Sequence, residues 1–326
     1  MAPHVNDPVQ KPRNLGSALS LLTSSLVAAA IGDVAQAAEG GGSHYLPGVL
    51  GDIFLALPPE PGFQVANVSW FQTGSLGTTL LEGQVGLDLD TDTFINMTSL
   101  AYTFEQPVLG GLYTIAMAVP FGYASLDGAL TGPLGGQIPF SDDSLALSDI
   151  AFTPIQLNWN SGPWSFRFAE TIIAPTGAYS TADADLVNLG RNYWSFDTVG
   201  AVTWFNPETG TEFSAAAGIM INTENSATDY KTGNEFHLDA VYNQFLSPEL
   251  AVGLRGYYYQ QLTADSGSGA TLGAFKSSSY GIGPGFVWIP ESAGGGLTIL
   301  GKWMHDFGAE NRFEADYVTL TAAWTF

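Results

Sequence analysis

The chain contains no cysteine in 326 residues, which excludes disulfide staples and thiolate chemistry. Beyond the N-terminus it has no run of about 20 uninterrupted apolar residues, so transmembrane helices are excluded as well. Basic residues are few: 9 Lys and Arg stand against 31 Asp and Glu, a formal charge of −22. So acidic a chain is a poor partner for nucleic acid. What is present is 45% hydrophobic and 13% aromatic residues with 39 glycines, apolar content that is spread out and not blocked. Rich in Gly, Tyr, Phe, Trp and Thr, it fits many β-strands joined by turns.

The last ten residues, YVTLTAAWTF, set the pattern. Val318, Leu320, Ala322, Trp324 and Phe326 fall on one side of a period-2 strand, and Thr319, Thr321, Ala323 and Thr325 on the other. One face is apolar and ends in aromatics, and the other is small and polar. A soluble sandwich strand rarely closes a chain on an aromatic beside an interfacial Trp, whereas an outer-membrane β-barrel does. In a barrel the last strand pairs with the first, removing both sheet edges.

At the other end, residues 1–37 read as a secretory signal: Lys11 and Arg13, then an apolar stretch over 15–31, then Ala35-Gln36-Ala37. Residues 38–63 do not read as a membrane strand, because Gly40, Gly41, Gly42, Pro47, Gly48, Gly51 and Pro58-Pro59 break any ladder. Yet Tyr45, Leu46, Val49, Leu50, Ile53, Phe54, Leu55 and Leu57 are too apolar for a linker. This segment is expected to fold inward as a plug, with His44, Tyr45 and Asp52 among its contacts, or to pack under the barrel as a periplasmic strap.

Twelve strands are expected in 64–326, at 64–72, 93–104, 112–121, 148–158, 164–174, 193–205, 212–221, 235–243, 250–261, 279–289, 297–306 and 317–326. Their lengths suit tilted membrane strands, and the number is even. The connections alternate in length. Those at 105–111, 160–163, 206–210, 245–249 and 290–296 are short, and those at 73–92, 122–147, 175–192, 222–234, 262–278 and 307–316 are longer. With the N-terminus in the periplasm, every long connection falls outside, as barrel topology requires. The acidic runs 142–143 and 181–185 fall in such loops, where they keep the rim hydrated or bridge to lipopolysaccharide through divalent cations.

Strand phase then assigns the lumen. Trp164, Phe166, Phe168 and Ile172 point outward and place Arg167 inside; Trp194, Phe196, Val202 and Trp204 leave Tyr193, Ser195, Asp197 and Thr203 inside. Glu235, His237, Asp239 and Asn243 oppose an outward Phe236, Leu238, Ala240 and Tyr242, and Arg255, Tyr257, Tyr259 and Gln261 oppose Leu250, Val252, Leu254 and Tyr258. Lys302, Met304 and Asp306 complete the set, while His305 faces outward. A turn near 247–248 predicts Asp239 across from Arg255 as a cross-strand ion pair. This mixed-charge interior serves either as a filter on a solute pathway or as ion pairs that stiffen the wall or hold the plug. Gly281, Gly283 and Gly285 leave space on one face of their strand, and Pro284 and Pro154 cannot donate to their ladders. Each proline marks either a wall kink that lets an apolar solute leave sideways or a plain bulge.

No metal-spaced cluster, HExxH or GxSxG accompanies His44, His237 and His305. His237 and Asp239 share a strand face without an evident third partner, so no enzyme and no cofactor is expected.

The blocks GGGSHYLPGVLGD (40–52), APTGAYS (174–180), NLGRNYWSFD (188–197), GNEFHLD (233–239), GYYYQQLTADSG (256–267), GIGPGF (281–286) and KWMHDF (302–307) resemble the family named for the MetA pathway of phenol degradation. The resemblance runs through nearly the whole chain after residue 37. It implies a barrel in the outer membrane of a Gram-negative bacterium, in contact with outer-membrane lipid and lipopolysaccharide. It further implies uptake of small hydrophobic or aromatic solutes and brings no catalytic residues with it. A structural or adhesive barrel with a closed lumen and ligand-binding acidic loops is the competing expectation.

Overall fold

The computed structural model describes residues 42–80, 85–131, 135–182, 186–270, 275–294 and 296–326. The expected leader at 1–37, the first residues of the 38–63 segment and part of the acidic run 181–185 lie outside the described residues. Alternating sequence produces an antiparallel sheet of β1 (Gly62–Leu80), β2 (Val85–Thr103), β3 (Leu112–Thr131), β4 (Gln137–Leu147), β5 (Ile150–Ser161), β6 (Trp164–Ala174) and β7 (Ser195–Asn206). It continues through β8 (Thr211–Asn222), β9 (Glu235–Ser247), β10 (Leu250–Gln261), β11 (Ser278–Trp288), β12 (Leu297–Glu310) and β13 (Glu314–Thr325).

The sheet closes on itself because β1 pairs with β13 from Gln64↔Thr325 to Ser75↔Glu314. β4 and β5 share one place in the wall: β4 pairs with the far half of β3 and β5 with its near half. The thirteen segments therefore form a twelve-stranded barrel, and closure leaves no unpaired edge to meet lipid. Val318, Leu320 and Trp324 are exposed on the outside, and Thr319, Thr321 and Ala323 are buried inside, as the C-terminal pattern requires.

Three connections expected as long loops are largely strand. β1 and β2 run on through most of 73–92, β3 and β4 through most of 122–147, and 307–316 shrinks to a turn between Glu310 and Glu314. The reason is an inversion of polarity along one continuous ladder. In the membrane belt the outward phase is apolar, with Phe94 and Leu100 on β2; beyond it the same phase carries Asp88, Asp90 and Asp92. Leu87 and Leu89 turn inward there and are buried. Once the outer face meets water instead of hydrocarbon, the preferred contrast reverses, and the strand continues. Asp90 is paired with Asp127, and Asp142 and Asp143, expected in a loop, lie in β4 opposite Leu126 and Ser125, so these carboxylates belong to the sheet.

The prolines interrupt the ladders in different ways. Between Phe152 and Ile155 the register with β6 shifts, so Pro154 sits in a bulge, and its carbonyl accepts a hydrogen bond from Tyr113 Oη at 2.7 Å. Pro284 keeps its register opposite Leu254, while the neighbouring ladder to β12 resumes at Gly285↔Lys302.

Candidate functional site: an occupied lumen

The lumen has two chemically distinct walls. Val68 and Trp70 from β1, Ile95 and Met97 from β2 and Ala118 from β3 make one side apolar. The strands from β6 to β12 contribute Arg167, Asp197, Glu235, His237, Asp239, Arg255, Tyr257, Tyr259, Lys302 and Asp306, all buried as their phase predicts.

The segment that precedes β1 fills the space between these walls. Its apolar residues Leu46, Val49 and Leu50 join the cluster of Val68, Trp70, Ile95 and Met97. Its polar groups reach the other side. Ser43 Oγ donates to Glu235, Tyr45 Oη donates to Asp239 Oδ2 at 3.0 Å, and Lys302 Nζ donates to Gly48 O at 2.6 Å and to Asp52 Oδ1 at 2.6 Å. Farther along, the Phe54 N–H donates to Glu212 and the Ala56 N–H donates to Thr203 Oγ1 at 3.0 Å. Phe54 adopts φ 46°, in the left-handed region that a non-glycine residue rarely occupies. Its ring stacks with Phe245 at 5.7 Å and meets Phe205 edge-on at 4.9 Å, and these contacts hold the strained turn in place.

These contacts fix the direction of the segment. Glu235 and Ser195 open β9 and β7 at the long-loop end, whereas Glu212 and Thr203 lie near the short β7–β8 turn. Residues 43–56 thus run inside the barrel from the long-loop end toward the short β7–β8 turn.

At the long-loop end His44 is held on both ring nitrogens: Nδ1 lies 2.6 Å from Ser195 Oγ and Nε2 lies 3.0 Å from Asp149 Oδ2. Burial, the larger influence, pushes the imidazole below the ordinary histidine range against the pull of the Asp149 carboxylate. Burial alone would raise Asp149, but hydrogen bonds from His44 and from the Gly177 and Arg191 backbone N–H groups hold it low. A serine, a histidine and an aspartate thus meet here, but with the nitrogens opposite to the usual hydrolytic order. Ser195 Oγ also donates to Asn222 Oδ1 at 2.6 Å, and Ser195, His44 and Asp149 are all fully or nearly fully buried.

One predicted pairing is overturned. Asp239 lies opposite Tyr257, and Arg255 lies opposite Val241. The register shifts between Leu250 and Ala251, because Ser247 pairs with Leu250 but Phe245 pairs with Ala251. The failure lies in the turn, which is centred on Pro248-Glu249 and so falls later than expected; the extra residue at Leu246 brings the ladder back by one place, only as far as Asp239↔Tyr257. Arg255 instead donates to Tyr242 O at 3.4 Å, and its guanidinium lies over Gly285, where an added Cβ would come within 2.9 Å of Nε. The glycine row of β11 thus makes room for β10 side chains, with Tyr257 lying over Gly281 in the same way.

His237 Nε2 lies 2.9 Å from Asp197 Oδ1, and Asp306 accepts from Tyr257 Oη and from Tyr317 Oη, the latter at 2.9 Å. Two contributors escaped periodicity because they lie outside strands. Arg312, in the β12–β13 turn, sits 4.2 Å from the centre of the Tyr259 ring, and Asp149 lies in the gap between β4 and β5.

No curated protein matches the sequence. Among solved structures, an outer membrane channel from Pseudomonas putida F1 aligns at a TM-score of 0.59 with 13% identity, over 82% of this chain and 97% of that one. A FadL homologue from Pseudomonas aeruginosa aligns at a TM-score of 0.41 with 11% identity, over 92% and 99%. At such identities the likeness concerns the fold alone. The closed barrel, with its apolar outer belt, is an outer-membrane protein of a Gram-negative bacterium. The family described as the MetA pathway of phenol degradation matches residues 73–322, most of the length over which the barrel closes, and the chain belongs to that family.

Proposed function

We propose that the barrel is a channel for passive uptake of small hydrophobic or aromatic solutes, phenol-like ones among them, and that the luminal segment is its plug. The observation that carries this reading is the filling of a closed barrel by the chain's own N-terminal segment through polar anchors that include Glu235, Asp239, Lys302, Glu212 and Thr203. The family and the fold shared with an outer membrane channel support the same reading. Flux follows the solute gradient, without cofactor or catalysis. The contact among Ser195, His44 and Asp149 anchors the segment, since the serine hydroxyl is committed to Asn222.

The test is solute entry into liposomes that hold the refolded protein lacking its leader, comparing phenol with a small sugar, each with and without residues 38–62. Phenol entry above protein-free leakage, without sugar entry, supports the channel, and a rise on deletion assigns the segment as plug. A second reading, a closed barrel whose outer surface binds a partner, draws on Asp88, Asp90, Asp92 and Asp127 on the exposed sheet face beyond the membrane belt. Failure of both solutes to cross in both proteins would favour it.

A further inference from the structure

Tyr45 belongs to the segment, but its environment belongs to the wall. Two consecutive luminal pairs of the β9–β10 ladder, His237↔Tyr259 and Asp239↔Tyr257, surround it. The Tyr45 ring lies nearly parallel to His237, with centres 4.5 Å apart at 17°, and nearly parallel to Tyr259 at 6.0 Å and 5°. Tyr257 is tilted toward it at 6.4 Å. At the end of the ring the phenolic oxygen donates to Asp239 Oδ2 at 3.0 Å and accepts from the Gly48 N–H at 3.1 Å.

Removed from its backbone, the Tyr45 side chain is a para-alkyl phenol. The strands therefore present a slot with two parallel π faces and a carboxylate at hydroxyl distance. This combination selects a ring by stacking and a phenol over a plain arene by its O–H donor. The elements that build it are strands held by their own ladder, β9 paired with β10.

We propose that this slot is the barrel's binding site for phenol-type solutes, and that Tyr45 occupies it as an internal surrogate that an entering phenol displaces. The proposal rests on the channel reading and deepens it, since it names both the ligand class and what unseats the plug. A free phenol can repeat the wall contacts of the Tyr45 ring and hydroxyl, and forgoes the Gly48 N–H, which comes from the segment itself, and the Arg312 hydrogen bond to the Tyr45 carbonyl. Asp239 keeps a donor throughout the exchange, so the buried carboxylate is never left bare.

The test uses the full chain without its leader, refolded in detergent, with p-cresol and toluene as probes and the variants Tyr45→Ala and Tyr45→Phe. Tyr45→Ala should bind p-cresol at least tenfold tighter than the unaltered protein, whose slot is filled. Toluene, of the same shape but without the hydroxyl, should bind about tenfold more weakly than p-cresol, the factor that goes with one hydrogen bond to a charged group. Tyr45→Phe, whose ring fills the slot without the hydroxyl that Asp239 needs, should bind p-cresol more tightly than the unaltered protein and more weakly than Tyr45→Ala. If folded Tyr45→Ala binds p-cresol no better than the unaltered protein does, or binds both probes equally, the proposal is wrong.

Should Tyr45→Ala fail to fold, the unaltered protein decides. Cleavage within the segment by an added protease should rise severalfold with p-cresol and not with toluene, and no rise overturns the proposal. Liposome flux separates this idea from the channel reading. Selective binding without flux keeps the slot and removes the channel, whereas flux without any difference in binding keeps the channel and removes the slot.

Discussion

Lys302 Nζ lies 2.6 Å from Asp52 Oδ1, an ion pair that joins the twelfth strand to the luminal segment across most of the chain's length. The same ammonium donates to the Gly48 and Gly51 carbonyls at 2.6 and 3.2 Å, so all three of its protons are used. Removing the cation alone strands a buried carboxylate and the Gly51 carbonyl, while the Gly48 carbonyl keeps the Gly51 N–H. Lys302→Met should therefore weaken docking of the segment by about 3 kcal/mol, and adding Asp52→Asn should recover much of the loss. Protease protection across 43–56 reads the difference, and equal protection in all three proteins would contradict the anchoring role.

His44 predicts a pH effect that can be isolated. Its proton is held less tightly when docked than in the free segment, where histidine titrates near 6.5. Its contribution to docking is therefore complete above about pH 6.5 and declines as the pH falls below that value. Asp149, held low, acts with the same sign only in stronger acid. Glu212, Glu235 and Asp239 also face the segment, but they are common to the unaltered protein and to His44→Gln and cancel in the comparison. Between pH 7.5 and 5.5 the unaltered protein should lose more segment protection than His44→Gln; the reverse order would refute this.

Glycine substitutions offer a contrast inside one wall. A Cβ at Gly283 would lie 1.8 Å from the Trp303 carbonyl oxygen, whereas one at Gly200 would meet nothing within 4 Å. Gly283→Ala should cost the barrel about 1–3 kcal/mol, because backbone must move. Gly200→Ala should be neutral or slightly stabilising. Urea unfolding of the two variants in lipid vesicles gives the comparison directly.

On the outer face, Asn67 and Asn96 exchange two side-chain hydrogen bonds, each of 2.9 Å, between Phe71 and Phe94 on one side and Leu100 on the other. Each amide also donates to a hydroxyl across the strand, Asn67 to Thr98 Oγ1 and Asn96 to Ser69 Oγ, both at 3.0 Å, so the four groups form one network in the hydrocarbon belt. Either single change to Leu should destabilise by about 1 kcal/mol, and the double change should cost less than the two singles combined. Additive losses in that cycle would show that the Thr98 and Ser69 hydroxyls satisfy the amides without their mutual bonds.

Much of this was legible in the sequence, for identifiable reasons. The luminal positions of β9, β10 and β12 were visible because outward Phe236, Leu238, Leu254 and Tyr258 contrast sharply with inward Glu235, Asp239, Arg255 and Lys302. The extension of β1 to β4 was hidden, because periodicity was expected to carry one polarity throughout and Asp88, Asp90 and Asp92 reverse it. The Asp239–Arg255 pairing failed because the turn is centred on Pro248-Glu249, later than its Ser-Pro sequence suggests, and the one-residue shift at Leu246 recovers only part of the difference. Arg312 and Asp149 lie in short irregular stretches, where spacing carries no directional information. That Tyr45 faces His237 and Tyr259 was beyond sequence altogether, since the segment has no period to orient its ring.

The link between the segment and β1 has a consequence for how fast the lumen can refill. From Leu57 to Gly62 the chain reads LPPEPG, and three prolines in six residues limit its excursions to roughly 17 Å from the barrel mouth. A segment that leaves is therefore not lost to the periplasm. It remains a tethered competitor at an effective concentration on the order of millimolar. A synthetic peptide of residues 42–57, added to protein from which 38–62 has been deleted, should need a concentration of that order to restore the blocked state.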